Sequence, residues 1–166
     1  MAGTVIRWNA GSGGRAWQVG LDGGDAVAAL AVSGDGEVIA VAMESGLVSI
    51  LKADDGRVVQ TLGAKGAAVC DVCFSRAGKF LLCGGGDKVI KIWDGAGESW
   101  NSQLAGHQDA VLAIRMSADG RFAASGSADK TVKIWRVHEG SEVRTLAGHE
   151  APVHGVDFSP DGLFVV

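Results

Sequence analysis

Short apolar stretches alternate with breaks rich in glycine, aspartate and serine along this chain, and the alternation returns every 42 residues. The segment 104–146 shows the pattern most clearly. Residues 110–117, 121–125, 131–135 and 142–146 each read as a β-strand, because apolar and β-branched residues alternate with polar ones over strand length. Between them, Ala118-Asp119-Gly120 and Ser127-Ala128-Asp129-Lys130 carry turn chemistry: an aspartate binds its own backbone and a glycine accepts positive φ. No stretch of ten residues escapes such breakers, so helices are not expected.

The same plan predicts strands at 26–33, 37–42, 47–52 and 57–62, and again at 68–75, 79–83, 88–93 and 99–104. Four turns fall in register, at Ser33-Gly34-Asp35-Gly36, Ser75-Arg76-Ala77-Gly78, Ser117-Ala118-Asp119-Gly120 and Ser159-Pro160-Asp161-Gly162. Val27, Val69, Val111 and Val153 hold one position of the period, and Leu51, Trp93 and Trp135 another, which Trp8 joins after a one-residue slip. A period of this length marks a repeat architecture. A four-stranded sheet this small cannot bury both of its faces alone and has to lean on like neighbours.

The repeats resemble those of WD40 β-propellers. Gly106-His107 and Gly148-His149 match the family's GH pair, Trp93-Asp94 its WD pair, and Ser159-Pro160-Asp161-Gly162 its first turn, whereas Trp135-Arg136 keeps only the tryptophan. The resemblance covers essentially the whole chain. It implies an all-β, WD40-type propeller of four-stranded antiparallel blades, four blade-equivalents per chain. It also implies a buried polar network in the third unit, with Asp129 holding His107, His107 holding Ser125, and Ser125 holding the Trp135 indole. The second unit has Lys65, Cys83, Asp87 and Trp93 at these positions, so its network is expected to be broken. The first has Leu51 and Ser45, where apolar packing and a less rigid sheet are expected.

The units run at about 21–62, 63–104 and 105–146, with a fourth made of 147–166 completed by 1–20 in a single domain, 1–166. Residues 4–8 match the third strand 131–135, and 15–20 can be a fourth strand, while 163–166 lie inside a second strand. The expected ring has eight blades from two chains, a homodimer through shared blades. A ring of four from one chain and a segment of a longer propeller are the alternatives.

Composition narrows the function. The 166 residues carry a formal net charge of −4, so no overall basic field gathers nucleic acid or anionic lipid. Lys88, Lys91, Lys130 and Lys133 recur in two units and read as a solvated strand face. No apolar run reaches membrane-spanning length, and no signal sequence is visible at the N-terminus. Cys70, Cys73 and Cys83 are three, with metal-pair spacing in Cys70-Asp71-Val72-Cys73 but no second pair. They read as buried small hydrophobes in a reducing compartment such as the cytoplasm. No metal or cofactor is expected.

His107, Ser125 and Asp129 also have the composition of a hydrolase triad, but the tryptophan would occupy the serine and no nucleophile turn is evident. His138, His149 and His154 are scattered, and Asp22, Asp25, Asp54 and Asp55 flank glycines and serve turns. Gly84-Gly85-Gly86 is only a weak look-alike of a phosphate loop, being followed by a strand. The expectation is a non-catalytic platform for a protein or peptide. Its candidate contact residues are Lys65, Gln108, Asp109 and Glu150 in the loops before first strands, with Arg115 and Asp157 facing a central channel. The alternative is a structural segment of a larger assembly with no binding role of its own.

Overall fold

The computed structural model describes residues 3–21, 25–63, 67–95 and 100–166. The described residues form strands, turns and loops, and no helix. Blade I is the antiparallel sheet β3 (Val27–Val32), β4 (Val38–Met43), β5 (Leu47–Lys52) and β6 (Val58–Gly63). Blade II is β7 (Val69–Phe74), β8 (Leu81–Gly85), β9 (Val89–Trp93) and β10 (Ser102–Ala105). Blade III is β11 (Val111–Met116), β12 (Phe122–Ser127), β13 (Val132–Arg136) and β14 (Ser141–Leu146). Strands β1 (Thr4–Trp8) and β2 (Arg15–Gly20) form a two-stranded sheet of their own. Ser99, where the fourth strand of blade II was expected to start, lies outside the described residues.

Each blade is a meander in which every strand pairs with the next. Their first strands lie together, β3 beside β7 and β7 beside β11, so these strands are innermost. Three of the four hairpins between first and second strands close with the same serine–aspartate pair, and Ala77 stands in the aspartate's place in blade II. Ser33, Ser117 and Ser159 donate their hydroxyls to Asp35, Asp119 and Asp161 at 2.6, 2.7 and 2.5 Å. The glycines Gly36, Gly78, Gly120 and Gly162 follow at φ of 75, 69, 70 and 72°, where a side chain would be strained.

The core lies between blades. Ala40, Ala42, Val48, Ile50 and Leu62 of blade I meet Val69, Val72, Leu81, Cys83 and Trp93 of blade II. Cys73, Leu82, Ile90, Ile92 and Leu104 of blade II meet Val111, Ile114, Ala123 and Trp135 of blade III. The second strands touch neighbours on both faces, so β8 is buried throughout, while the outermost β14 is mostly exposed.

Tight approach explains the small residues of β8 and β12. A Cβ on Gly84 would stand 2.6 Å from Ile114 Cδ1, and one on Gly126 would stand 2.7 Å from Val153 Cγ1. At Gly85 it would meet the Ala68 carbonyl oxygen at 2.0 Å. The expected strands 79–83 and 121–125 stop short of these glycines, whereas β8 and β12 begin later, at Leu81 and Phe122, and end two residues later, at Gly85 and Ser127.

The ends of the arc are half-blades. The β1–β2 hairpin packs Val5 and Leu21, with Trp17 and Val19, on Val41, Met43 and Leu51 of blade I. Arg7 and Trp17 both donate to the Ala53 carbonyl, Trp17 Nε1 at 2.9 Å. At the other end, Val153 and Val156 pack on Ala113, Ala124 and Val132 of blade III. Residues 157–166 turn back on themselves, with a single bridge between Phe158 and Val165. Among the described strands, β1 pairs only with β2.

Replacing Gly85 by alanine is expected to cost about 1–3 kcal/mol, because backbone must yield. Its urea midpoint relative to the parent chain measures this, and an unchanged midpoint would show that blade II does not need the close approach of β8 to Ala68.

Candidate functional site and its buried network

The sharpest concentration of polar chemistry is in blade III. The loop before β11 carries His107, β12 carries Ser125, the β12–β13 turn carries Asp129, and β13 carries Trp135. His107 Nδ1 lies 2.8 Å from Asp129 Oδ2, and Nε2 lies 2.7 Å from Ser125 Oγ. Trp135 Nε1 donates to Ser125 Oγ at 2.8 Å. Ser125 is fully buried. Asp129 also accepts from the backbone N–H groups of Gln108 at 2.8 Å and Thr131 at 2.9 Å, and from the Thr131 hydroxyl at 2.6 Å.

The donor count fixes the charge state. A neutral His107 donates from Nδ1 to Asp129 and accepts the Ser125 hydroxyl at Nε2, and every buried group then has a partner. A second proton on Nε2 would make Ser125 Oγ accept from both the imidazole and the indole, and the hydroxyl proton would lose its acceptor. Burial likewise holds the imidazole below its ordinary 6.5, outweighing the Asp129 carboxylate, which pulls the other way. For Asp129, burial pushes the carboxyl up, but the hydrogen bonds from Thr131, Gln108 and His107 together hold it far below the usual carboxylate range. The arrangement is an ionised aspartate holding a neutral imidazole. Ser125 has no path to solvent, and its oxygen is already shared with the indole.

A second buried charge borders this network. Lys133 donates to Glu142 and to Thr145, each at 2.7 Å, and its ammonium stands 6.0 Å from the Trp135 ring centroid. In blade II, Lys91 pairs with Asp87. The expected solvated lysine face is therefore corrected: Lys91 and Lys133 are largely buried counter-ions. Lys88 and Lys130 are turn residues at positive φ, 69° each. The sequence signal was present, since each inward lysine stands two residues before its tryptophan on the same strand.

Blade II lacks the histidine-serine pair. Trp93 is buried in the seam with blade I, and the Cys83 thiol at the serine position is pushed up to about 12 by burial. In blade I, Val41 and Leu51 fill the serine and tryptophan positions and are fully buried. Cys73 is pushed up to about 12 by the same cause, and all three cysteines are free thiols. Among the described residues, no three His, Cys, Asp or Glu side chains gather as a metal site. Among the same residues no helix is long and apolar enough to cross a membrane.

The candidate contact residues separate into three groups. Gln108, Asp109 and Glu150 are exposed in the loops before first strands. The first of these loops is fixed from below: Asp129 holds the Gln108 N–H, Ser127 donates to the Asp109 carbonyl at 3.1 Å, and Lys88 donates to the Gln108 carbonyl at 2.9 Å. Arg115 is tied down, donating to Asp71 Oδ2 at 2.8 Å and to the Ile114 carbonyl at 2.6 Å. Asp71 also accepts the Ile114 N–H at 2.9 Å, a clasp between the innermost strands of blades II and III that sequence reasoning missed. Its signal was an acid inside an otherwise apolar first strand. Asp157 is exposed and accepts the Phe158 N–H at 2.8 Å. Lys65 lies outside the described residues, as does Asp22.

Radially packed four-stranded meanders, one of them carrying a histidine–aspartate–serine–tryptophan relay, define a β-propeller of repeat type. The description "WD domain, G-beta repeat" matches residues 56–94, 99–136 and 140–166, and the chain belongs to that WD40 family. Residues 4–70 also match the "Anaphase-promoting complex subunit 4 WD40 domain". The chain is similar to Telomerase protein component 1 of Mus musculus, 32% identical over 59 residues, 36% of this chain and 2% of that protein. It is similar to Protein SLOW WALKER 1 of Arabidopsis thaliana, 33% identical over 88 residues, 52% of this chain and 17% of that protein. The chain thus spans a small part of these curated relatives.

Two outcomes test the network. Ser125→Ala and Trp135→Phe each leave a buried polar partner unmet, and each is expected to cost about 1–3 kcal/mol in urea unfolding. The pH response follows from His107. Its folded pKa lies below its unfolded value of 6.5, so below that pH the unfolded chain takes up a proton that the native state resists. Stability from this group is present above pH 6.5 and declines as pH falls through it. The urea midpoint should drop on that acid side, and the drop should shrink in His107→Gln; equal pH slopes in both chains would contradict this assignment.

Proposed function

We propose that this chain is a non-catalytic WD40-type scaffold that binds a protein or peptide, with two copies sharing blades to complete one ring. The observation that carries the reading is how the chemistry is distributed. The Ser/His/Asp set is buried and consumed in holding a loop, while Gln108 and Asp109 stand exposed on that loop and Glu150 on the corresponding loop of the next unit. A rigid loop presenting polar side chains suits recognition, since little ordering entropy remains to be lost on binding.

The acidic balance of −4 supports a protein or peptide ligand over nucleic acid or an anionic membrane. Three free thiols support a reducing compartment such as the cytoplasm. The second reading is a structural segment of a larger repeat protein. The small share of the curated relatives that the chain covers favours it.

Reversing two charges, Asp109→Arg with Glu150→Arg, tests the scaffold reading. Both residues are exposed, so folding should be kept. Proteins captured by the parent chain from a cell extract should be lost, or retained at least about tenfold more weakly, by the variant. Identical capture by both would remove these loops from the proposed face.

A further inference from the structure

Three seams in this structure are each built around one residue of a third strand seated on the preceding sheet. Trp93 sits among Ala40, Val48, Ile50 and Leu62 of blade I. Trp135 sits among Leu82, Ile90, Ile92 and Leu104 of blade II. Leu51 sits against Val5 and Leu21 of the β1–β2 sheet.

The backbone shows that Trp8 is the fourth residue of this series. The pairing of third and fourth strands slips between Ile50 and Leu51 in blade I, between Ile134 and Trp135 in blade III, and between Arg7 and Trp8 in the β1–β2 hairpin. This places Trp8 where Leu51 and Trp135 stand. Those two are fully buried, whereas Trp8 is 60% exposed.

One seat is also vacant. Shifting Ile92 and Leu104 by one 42-residue period gives Ile134 and Leu146 of blade III. These two line an open cleft of about 320 Å³, whose other apolar walls include Val143, Phe158, Leu163 and Val165. The same chain leaves Trp8 in solvent, so the knob and the hole remain separate. The strand edges beside them match as well. In blade III, Ala123 pairs with Trp135 and Ala124 with Ile134; the same register sets Val165 opposite Trp8 and Val166 opposite Arg7. Leu163, Phe164 and Val166 are 76, 67 and 84% exposed, an apolar edge without cover.

We propose that the cleft between blade III and the C-terminal hairpin is the seat for Trp8 of a second copy of this chain. The partner's β1 adds to the 163–166 edge. This rests on the two-copy ring proposed above and names the side chain and the hole that form its seam. A symmetric pair makes this contact twice, once in each direction. An indole in a desolvated apolar pocket is the kind of contact that dominates an interface.

Sedimentation equilibrium of chain 1–166 should show a species of twice the 16.9 kDa chain mass. Trp8→Ala, and separately Leu146→Lys in the cleft, should each weaken association at least about tenfold while circular dichroism stays that of the parent. Val58→Ala, an exposed outer-strand change in blade I, should leave the mass unchanged. Mixing the Trp8→Ala and Leu146→Lys chains should restore a two-chain species, because one of the two seams then has both an intact tryptophan and an intact cleft. A parent chain that stays at 16.9 kDa would overturn the two-copy ring and this seat together. A parent dimer that Trp8→Ala does not weaken, or variants that mixing does not rescue, would overturn the seat alone.

Discussion

A sheet of four strands, each four to six residues long, has two apolar faces and no layer of its own to cover them. Here the faces between blades I, II and III are covered by sheets of the same kind, and the stability of any blade is shared with its neighbours. Much of the remaining structure follows from how closely the sheets must approach. Glycines stand in the second strands of blades II and III because a valine of the next first strand fills the space of a side chain. Second strands become buried on both faces. The half-blades at the two ends follow the same rule, each lying on a full blade with one face.

Within that frame the polar network is a local device of blade III. An aspartate in one turn takes hold of a histidine and a backbone N–H in a loop across the sheet, and so converts a surface loop into a fixed one. Charge is what makes the device effective: an ionised carboxylate satisfied by several donors resists both protonation and movement. Blade II keeps the aspartate and pairs it with a lysine of β9 instead. Blade I has Val41 and Leu51 at the serine and tryptophan positions and Ser45 at the aspartate position. The turns between second and third strands therefore carry different polar groups in the three blades, although the sheets beneath them are alike.

Much of this was legible in the chain. The strands expected at 4–8, 15–20 and 47–52 agree with β1, β2 and β5 residue for residue, since alternation and flanking turns point the same way there. The relay in blade III was legible through resemblance, because four residue types recur at fixed places. Legibility failed where a residue's role depends on a neighbour distant in sequence. Gly84 and Gly85 fall beyond the expected strand 79–83 until Val111 and Ala68 are placed beside them. Lys133 looks solvated until Glu142 and Thr145 close over it. Arg115 looks free until Asp71 of the adjacent blade meets it.

That last clasp has a mechanical side. Asp71 ties β7 to β11 through both a side chain and a backbone N–H, whereas the matching positions between blades I and II are Ala29 and Cys73, which carry no charge. Blades II and III are therefore riveted at the axis and blade I is not. Under tension or partial unfolding the arc has a preferred line of parting, and blade I with the hairpin it carries would peel away while the other two leave as a pair.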